Sequence, residues 1–545
     1  MAWGILESRS HSHVPGTVLL DSSEDPSAEH LAHLKRTTHR GKSIILVPQP
    51  SEDPNDPLNW SLWAKDLLTL LYGYCTLLIV GGIGPILSAL TLELVTLFDV
   101  SYTDVSLLTG YSLCATAASG IFISAVSHKY GRRIPMLFSL ACAFSSTVWG
   151  GYAESYGSLL GARILQGLSC SMFESVIFSL IGDMYFVHER GIRIAVMSSC
   201  FAGISNLPSL LAGKIATDLG WRWVFWLLAI FLGVALVLSI PFGWETSYNR
   251  QDIYNTDLAS QDNLEDLDAK QTAGEIEMAE NKTSGIESGV QPPARKSFLQ
   301  MMNPYSGTYT NESIWRLLMD PFLILANPAV IWAVLLMSFP TLWLVAVNLL
   351  VAQIFSGPPY SLTTAELGYL AAGPTVGGLL GSILAGLSSD PVIKWAAKKN
   401  HGIYEPEFRL LLIVPAVVTS SMAYFLFGNL IEAGKSAAAM AVIWGIAVFS
   451  LQFVIMVVGS YGVDAYRDIS VEIFMATMIF KNFLFFGFSY FLNSWIVSWG
   501  PAKMFDCVAA IQIGLCLTTI PIWMYGKRLR GWWHNVYTVP THKHD

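Results

Sequence analysis

Charge is scarce: Asp, Glu, Lys and Arg make up 13% of the 545 residues, about half the share of a soluble globular protein. With 53% hydrophobic residues, a soluble chain of this length would lack the charge to wet its surface. A basic excess is missing as well. The formal net charge is −8, and residues 245–290 carry all of it with 11 acids against 3 bases, leaving 29 of each sign elsewhere. No field able to hold nucleic acid exists, so nucleic-acid partners are excluded. The seven cysteines stand singly in apolar stretches, without the paired spacing of a metal site or a disulfide framework. None of the eleven histidines lies in an apolar run, which removes the ligands that a haem or di-iron membrane enzyme needs at depth. Walker A, G-x-S-x-G, H-E-x-x-H and glycine-rich dinucleotide patterns are absent too, so neither an enzyme, a metal nor a cofactor is expected.

What is present is a series of apolar segments, each near the ~20 residues that cross ~30 Å of hydrocarbon. They fall at about 66–90, 104–126, 134–153, 158–182, 193–213, 222–243, 329–355, 365–388, 408–430, 437–461, 471–497 and 503–526. Pro85, Pro208, Pro340, Pro374 and Pro415 lie inside them, as membrane helices tolerate when neighbours satisfy the freed carbonyls. The expected fold is an all-α integral membrane protein of twelve transmembrane helices in two six-helix bundles, 66–243 and 329–526. Residues 1–65 are polar, without a cleavable signal core, and read as a disordered tail; 244–328 read as an acidic linker, disordered to about residue 295, and 527–545 as a second tail. Lys129, Arg132, Arg133, Arg190, Arg193, Lys394, Lys398, Lys399, Arg409, Arg467, Lys527, Arg528 and Arg530 gather on one side, which places both termini and the linker in the cytosol.

Charges at depth cost at least ~2.5–3.5 kcal/mol each, so each needs a reason. In span four, Arg163, Gly167, Cys170 and Glu174 share one helix face, with Gln166 beside them. Glu174 lies ~16 Å beyond Arg163, where a carboxylate could exchange protons or hold a cation. In span eleven, Lys481 sits near mid-depth with Asn482 adjacent; it must pair with a carboxylate, face water or lose its proton, and a cavity-facing position is expected because no partner is near in sequence. Trp343, Asn348, Gln353, Tyr461, Phe485, Phe486 and Tyr490 could line a site for a ring-bearing or cationic ligand. Tyr130-Gly131-Arg132-Arg133 and Asp183, Glu189, Arg190 and Arg193 lie close enough in the pattern of loops to form an inner-face network, remade as the halves rock. Gly373, Gly377 and Gly381 make a smooth stripe in span eight, for tight packing or a sliding gate.

Several segments carry a resemblance: Asp56-Pro57-Leu58-Asn59-Trp60-Ser61, Gly131-Arg132-Arg133, Arg163-Ile164-Leu165-Gln166-Gly167, Phe186-Val187-His188-Glu189-Arg190-Gly191 and Gly220-Trp221-Arg222-Trp223. Trp244-Glu245-Thr246, Tyr404-Glu405-Pro406-Glu407-Phe408-Arg409-Leu410, Tyr461-Gly462-Val463-Asp464 and Lys481-Asn482 follow. In order and spacing the chain resembles the major facilitator superfamily, and within it the fungal twelve-span group related to drug:H⁺ antiporters and to polyamine and histidinol permeases. The resemblance implies alternating access by rocking bundles and associates Arg163 with proton coupling. It departs from the pattern at Ser124 and His128, where Gly and Asp are usual, although Gly386 and Asp390 keep both in the second half. It departs again at Leu207 before Pro208 and at Leu211-Ala212.

The expected function is a monomeric secondary transporter in the plasma membrane, exporting a drug-like molecule or fungal secondary metabolite against protons. The alternatives are proton-coupled uptake of polyamine-like cations and a non-transporting sensor on the same fold. Glu174, Arg163, Gln166, Lys481, Asn482, Asn348, Trp343 and Tyr461 are the expected coupling and substrate residues. Gly131, Arg132, Arg133, Asp183, Glu189, Arg190, Asp390, Asp464 and Arg467 are the expected cytoplasmic gate.

Overall fold

The protein is described here from a computed structural model, over residues 4–7, 14, 16–19, 36–39, 42–46, 50, 51, 53–186, 189, 193, 196, 197, 199–203, 206–248, 295–400, 403–466 and 469–537. Twelve helical spans follow in chain order. Spans one to three are Leu62–Phe98, Tyr102–Tyr130 and Arg133–Gly151. Span four is Tyr156–Ser171, a π-helical turn Met172–Val176 and Ile177–Met184. Span five is described over Ser199–Gly203 and Leu207–Leu219, and span six is Trp221–Phe242. The second half repeats the plan with Pro328–Phe355, Thr364–Lys399, Pro406–Glu432 and Ala437–Ala465. Span eleven is Ser470–Ser489 continued by Leu492–Trp499, and span twelve is Pro501–Leu517 continued by Thr519–Tyr537. By length and composition, ten helical stretches among the described residues can cross a membrane. The other two, spans four and five, are each interrupted by a π-helical turn.

Local sequence sets the boundaries. Ser101 and Asp104 cap span two reciprocally, and Thr363 and Glu366 do the same for span eight. Asn327 accepts the Ala329 N–H and Pro328 takes the first helical position of span seven, where its missing N–H costs nothing. Span one is broken: a π-helical stretch Leu77–Ile83 gives way at Gly84-Pro85 to a second helix from Ile86.

Because the spans alternate in direction, the two bundles share a linker end and a far end. One apolar core fills the N-terminal bundle and also takes in Met475, Met478 and Ile479 of span eleven; two more fill the C-terminal bundle. At the far end the bundles are sealed. Asn493 Nδ2 donates to Ser106 Oγ at 2.6 Å, Tyr102 and Ser356 join their hydroxyls at 3.1 Å, and a Cβ on Gly213 would sit 2.6 Å from the Thr364 carbonyl oxygen. The glycine stripe of span eight lies against span ten of the same bundle: a Cβ on Gly377 would overlap the Gly445 carbonyl, and one on Gly381 would lie 2.8 Å from Phe449 O. It is tight packing within a bundle and not a sliding surface between bundles.

Two expectations about the ends are corrected. Described parts of 1–65 are ordered: Val18–Leu19 pairs antiparallel with Ile403–Tyr404, Arg36–His39 pairs with Lys42–Ile45, and Ile5 is fully buried. Polar composition hid this because a few apolar residues suffice when a partner surface exists. The linker past residue 295, beyond the stretch expected to be disordered, is helical over Phe298–Met301 and Ile314–Leu323, and Lys129 Nζ donates to Glu312 O. Residues 527–537 continue span twelve, with Arg530 buried. The acidic stretch expected to be disordered, 249–294, lies outside the described residues.

Candidate functional site

Glu174 and Lys481, 307 positions apart, meet between the bundles. Span four carries Glu174 ~15 Å from its linker end, and span eleven carries Lys481 ~16 Å from its own, so the two lie at one depth. Glu174 sits within the π-helical turn Met172–Val176, an irregularity frequent at functional sites because the extra residue re-aims a side chain. Lys481 Nζ is in ion-pair contact with Glu174 Oε1 and donates to Asn482 Oδ1 at 3.2 Å, while Asn482 Nδ2 donates to Glu174 Oε2 at 2.9 Å. Side-chain exposures of 14% for Lys481 and 9% for Glu174 mean that neither charge is fully solvated, so each needs the other. Of the three states open to Lys481 in the sequence, the structure has it paired with a carboxylate, and that partner lies in the other half of the chain, which sequence spacing could not show.

About two and a half turns before the bulge, Arg163 is fully buried. Its Nη1 donates to Ile83 O at 2.6 Å and to Gln166 Oε1 at 2.8 Å, and Gln166 Nε2 donates to Thr147 Oγ1 at 2.9 Å. The break in span one at Gly84-Pro85 thus presents a carbonyl that the guanidinium takes. Arg163 Nε and Nη2 have no partner among the described residues, leaving two buried donors unpaired. A Cβ on Gly167 would overlap the Ser112 carbonyl, and Thr116 Oγ1 bonds to Gly167 O at 2.9 Å, so spans two and four are in backbone contact here.

The other expected lining residues separate. Asn348 donates to Leu344 O at 3.0 Å and reaches Asn206 Oδ1 of span five at 3.5 Å; Trp343 packs edge-on to Phe488 of span eleven at 5.7 Å. Phe486 and Tyr490 meet Tyr111 of span two. Tyr461 belongs elsewhere. It lies ~6 Å from the linker end of span ten, edge-on to Trp332 at 5.6 Å and beside Tyr466, so its assignment to the central site is corrected: helix direction sets its depth.

The expected gate resolves into two clusters, one per bundle. In the N-terminal bundle Gly131, at φ +92°, turns the chain so that the Arg132 and Arg133 N–H groups both donate to the Glu245 carboxylate at 3.0 Å. Arg132 pairs with Asp183 at 2.8 Å, and the Arg133 guanidinium holds the carbonyls of Ile240, Met301 and Met302. Burial and Glu245 push the nearby Tyr309 hydroxyl up to about 12. Arg193 pairs with Asp66 at 3.0 Å and its Nη1 donates to Glu189 O at 3.0 Å. In the C-terminal bundle Asp464 meets Arg409 and Tyr404, and Arg409 reaches Ser389 at 3.2 Å; burial and then Asp464 push the Tyr404 hydroxyl well above its ordinary value. Asp390 is exposed, and Arg190 and Arg467 lie outside the described residues. The Arg132–Asp183 pair links the two N-terminal loops of the expected inner-face network, while Asp464 belongs to a separate cluster in the C-terminal bundle.

Sequence reasoning did not weigh Asp66, Glu245, Glu405, Glu407 and Arg530 as site residues. Arg530 is fully buried, bonding Glu407 at 2.8 and 3.1 Å and Glu405 at 3.0 Å. The available signal was two acids flanking Pro406 just before span nine and a lone arginine past the apolar part of span twelve.

Comparison with known proteins agrees with this geometry. An uncharacterized MFS-type transporter of Schizosaccharomyces pombe is 26% identical, covering 95% of this chain and 93% of its own. Protein HOL1 of Saccharomyces cerevisiae is 24% identical over 98% and 99%, and a probable efflux pump, mfs2, of Aspergillus flavus is 26% identical over 79% and 96%. The solved structure of the proton:xylose symporter XylE is similar in fold, with a TM-score of 0.55 and 15% identity, covering 87% of this chain and 100% of that one. The family model for the Major Facilitator Superfamily matches residues 72–468. With that match over twelve spans in two bundles, the chain belongs to the Major Facilitator Superfamily and is a multi-pass membrane transporter.

Proposed function

We propose that this transporter couples the movement of a small organic molecule to protons, and that it exports a drug-like compound or secondary metabolite across the plasma membrane, with both termini and the linker in the cytosol. The observation that carries the reading is the Glu174–Lys481–Asn482 triad, which joins the bundles at mid-depth. Protonating Glu174 removes the charge that holds Lys481, so the bundles separate at that level only when a proton has arrived. Access and protonation are thereby linked. Arg163, with two open donors on the same helix, supplies a fixed positive field nearby. The name of the Aspergillus flavus relative, a probable efflux pump, supports the export direction.

A second reading, uptake of a polyamine-like cation, is favoured by one feature: the Lys481 ammonium already occupies the carboxylate, as a substrate ammonium would on displacing it. Cells with and without the protein, given a panel of labelled compounds with and without a proton uncoupler, separate the readings. Uncoupler-sensitive efflux supports the first, and uptake confined to cationic compounds supports the second. If no compound moves in either direction faster than in control cells, both fail and the non-transporting sensor is favoured.

A further inference from the structure

The amino-terminal segment is seated on the tip of the C-terminal bundle. Ile5, fully buried, packs with Ile393, Ala396, Ala397, Tyr404 and Phe408, from the end of span eight and the start of span nine. Leu6 N donates to Met524 O at 3.0 Å, and Glu7 pairs with Lys527 at 2.7 Å and accepts from Arg528 through its carbonyl. Gly16, at φ +85°, brings its backbone so close that a Cβ would lie 2.6 Å from Asp464 O and 3.2 Å from Arg530 Nη1. Thr17 Oγ1 donates to Glu405 Oε2 at 2.7 Å, and Val18–Leu19 adds a strand to Ile403–Tyr404. One short segment therefore touches the ends of spans eight, ten and twelve and the buried cluster of Glu405 and Arg530.

The same chain reaches the other bundle before span one begins. Asp56, fully buried, accepts from Ser51 and Leu58, Tyr248 Oη donates to Asp53 at 2.9 Å, and Trp60 stacks edge-on to Trp244 at 5.6 Å. Lys65 Nζ, buried, donates to Leu58 O at 2.9 Å. With residues 4–7 and 16–19 on one bundle and residues 53–65 on the other, the amino-terminal stretch has a foothold on each bundle at the linker end. Rocking that opens the far end must bring the linker-end tips together, and Gly16 rests against the tip of span ten.

We infer that residues 4–7 and 16–19 are a regulatory strap whose docking on the C-terminal bundle holds the transporter closed at the far end and slows its turnover. The surface that receives it is polar and charged at Glu405, Lys527 and Arg530 and apolar around Ile5, and so fits this segment as its partner. The inference rests on the chain being a transporter but not on the substrate, direction or ion proposed above. Its test therefore needs no substrate.

The reporter is Asn493→Cys, buried at the far-end seal, with labelling by a membrane-impermeant maleimide measured in the full-length protein against the parent background. Ile5→Asp and Gly16→Val, which undock the strap through burial and through close approach respectively, are expected to raise the labelling rate several-fold, while Ile5→Val leaves it unchanged. In the opposite direction, Leu19→Cys with Ile403→Cys places cysteines at ladder partners, within bridging range. Oxidation is expected to lower reporter labelling and reductant to restore it. Failure of the disulfide to form would show that the strap is not docked. A disulfide that forms without changing labelling, or undocking variants of normal abundance that label at the parent rate, would reduce the segment to packing and overturn the inference.

Discussion

Lys481→Met removes the ammonium from Glu174 and leaves the carboxylate with a single hydrogen bond, the 2.9 Å contact from Asn482 Nδ2. Breaking a buried ion pair from one side costs about 3–5 kcal/mol. The 9% exposure of Glu174 and the bond it keeps place the loss at the lower end, about 3 kcal/mol. Glu174→Gln strands the lysine between two neutral acceptors, with a comparable loss. Glu174→Gln combined with Lys481→Met leaves no charge and is expected to fall within about 1 kcal/mol of the parent. The assay is the midpoint of thermal aggregation in detergent for all four proteins. The expected signature is non-additivity of at least about 2 kcal/mol, where independent sites add within about 0.5. Additive losses would show that the two side chains do not act as a pair, and the reasoning would fail.

Four other outcomes are expected. Arg530→Met leaves Glu405 and Glu407 buried without their shared cation and should cost about 3–5 kcal/mol; purified protein with an unshifted melting midpoint would argue against that cluster. Gly377→Val drives a side chain into the Gly445 carbonyl and should lower membrane abundance sharply, by at least the ~1–3 kcal/mol of an overpacked core, whereas Gly386→Val, in open space, should not; equal abundance on blots would refute the packing. Glu245→Ala uncaps the Arg132 and Arg133 N–H groups and should cost about 0.5–2 kcal/mol, read as a lower melting midpoint with transport retained. A tag near Glu275 should resist protease added to intact cells, and cleavage from outside would reverse the proposed orientation.

The sequence carried the fold because hydrocarbon imposes a length on each span and pairs of spans return the chain to one side. Twelve apolar runs and one acidic interruption sufficed for two bundles. Individual charges at depth were legible for the same reason: Arg163, Glu174 and Lys481 are costly wherever they sit, so each was visible alone. Their pairing was not, because Glu174 and Lys481 lie in different halves and no local spacing relates them. Tyr461 shows the converse failure, an aromatic chosen for its chemistry but sitting near the end of its helix. The gate was legible in part: Arg132 and Asp183 were visible as charges of neighbouring loops and do pair, whereas the pairing of Asp464 with Arg409 depends on packing. The strap was illegible because Ile5 and Gly16 matter only against a surface assembled from spans eight, ten and twelve.

The central claim is that the Glu174–Lys481 pair ties transport to the proton gradient. Once a compound from the panel is shown to move, the direct measurement is its flux in proteoliposomes with and without an imposed pH gradient, for the parent and for Glu174→Gln combined with Lys481→Met. The gradient is expected to accelerate flux in the parent and to leave the well-folded double variant at one gradient-independent rate. Equal acceleration in both proteins would contradict it.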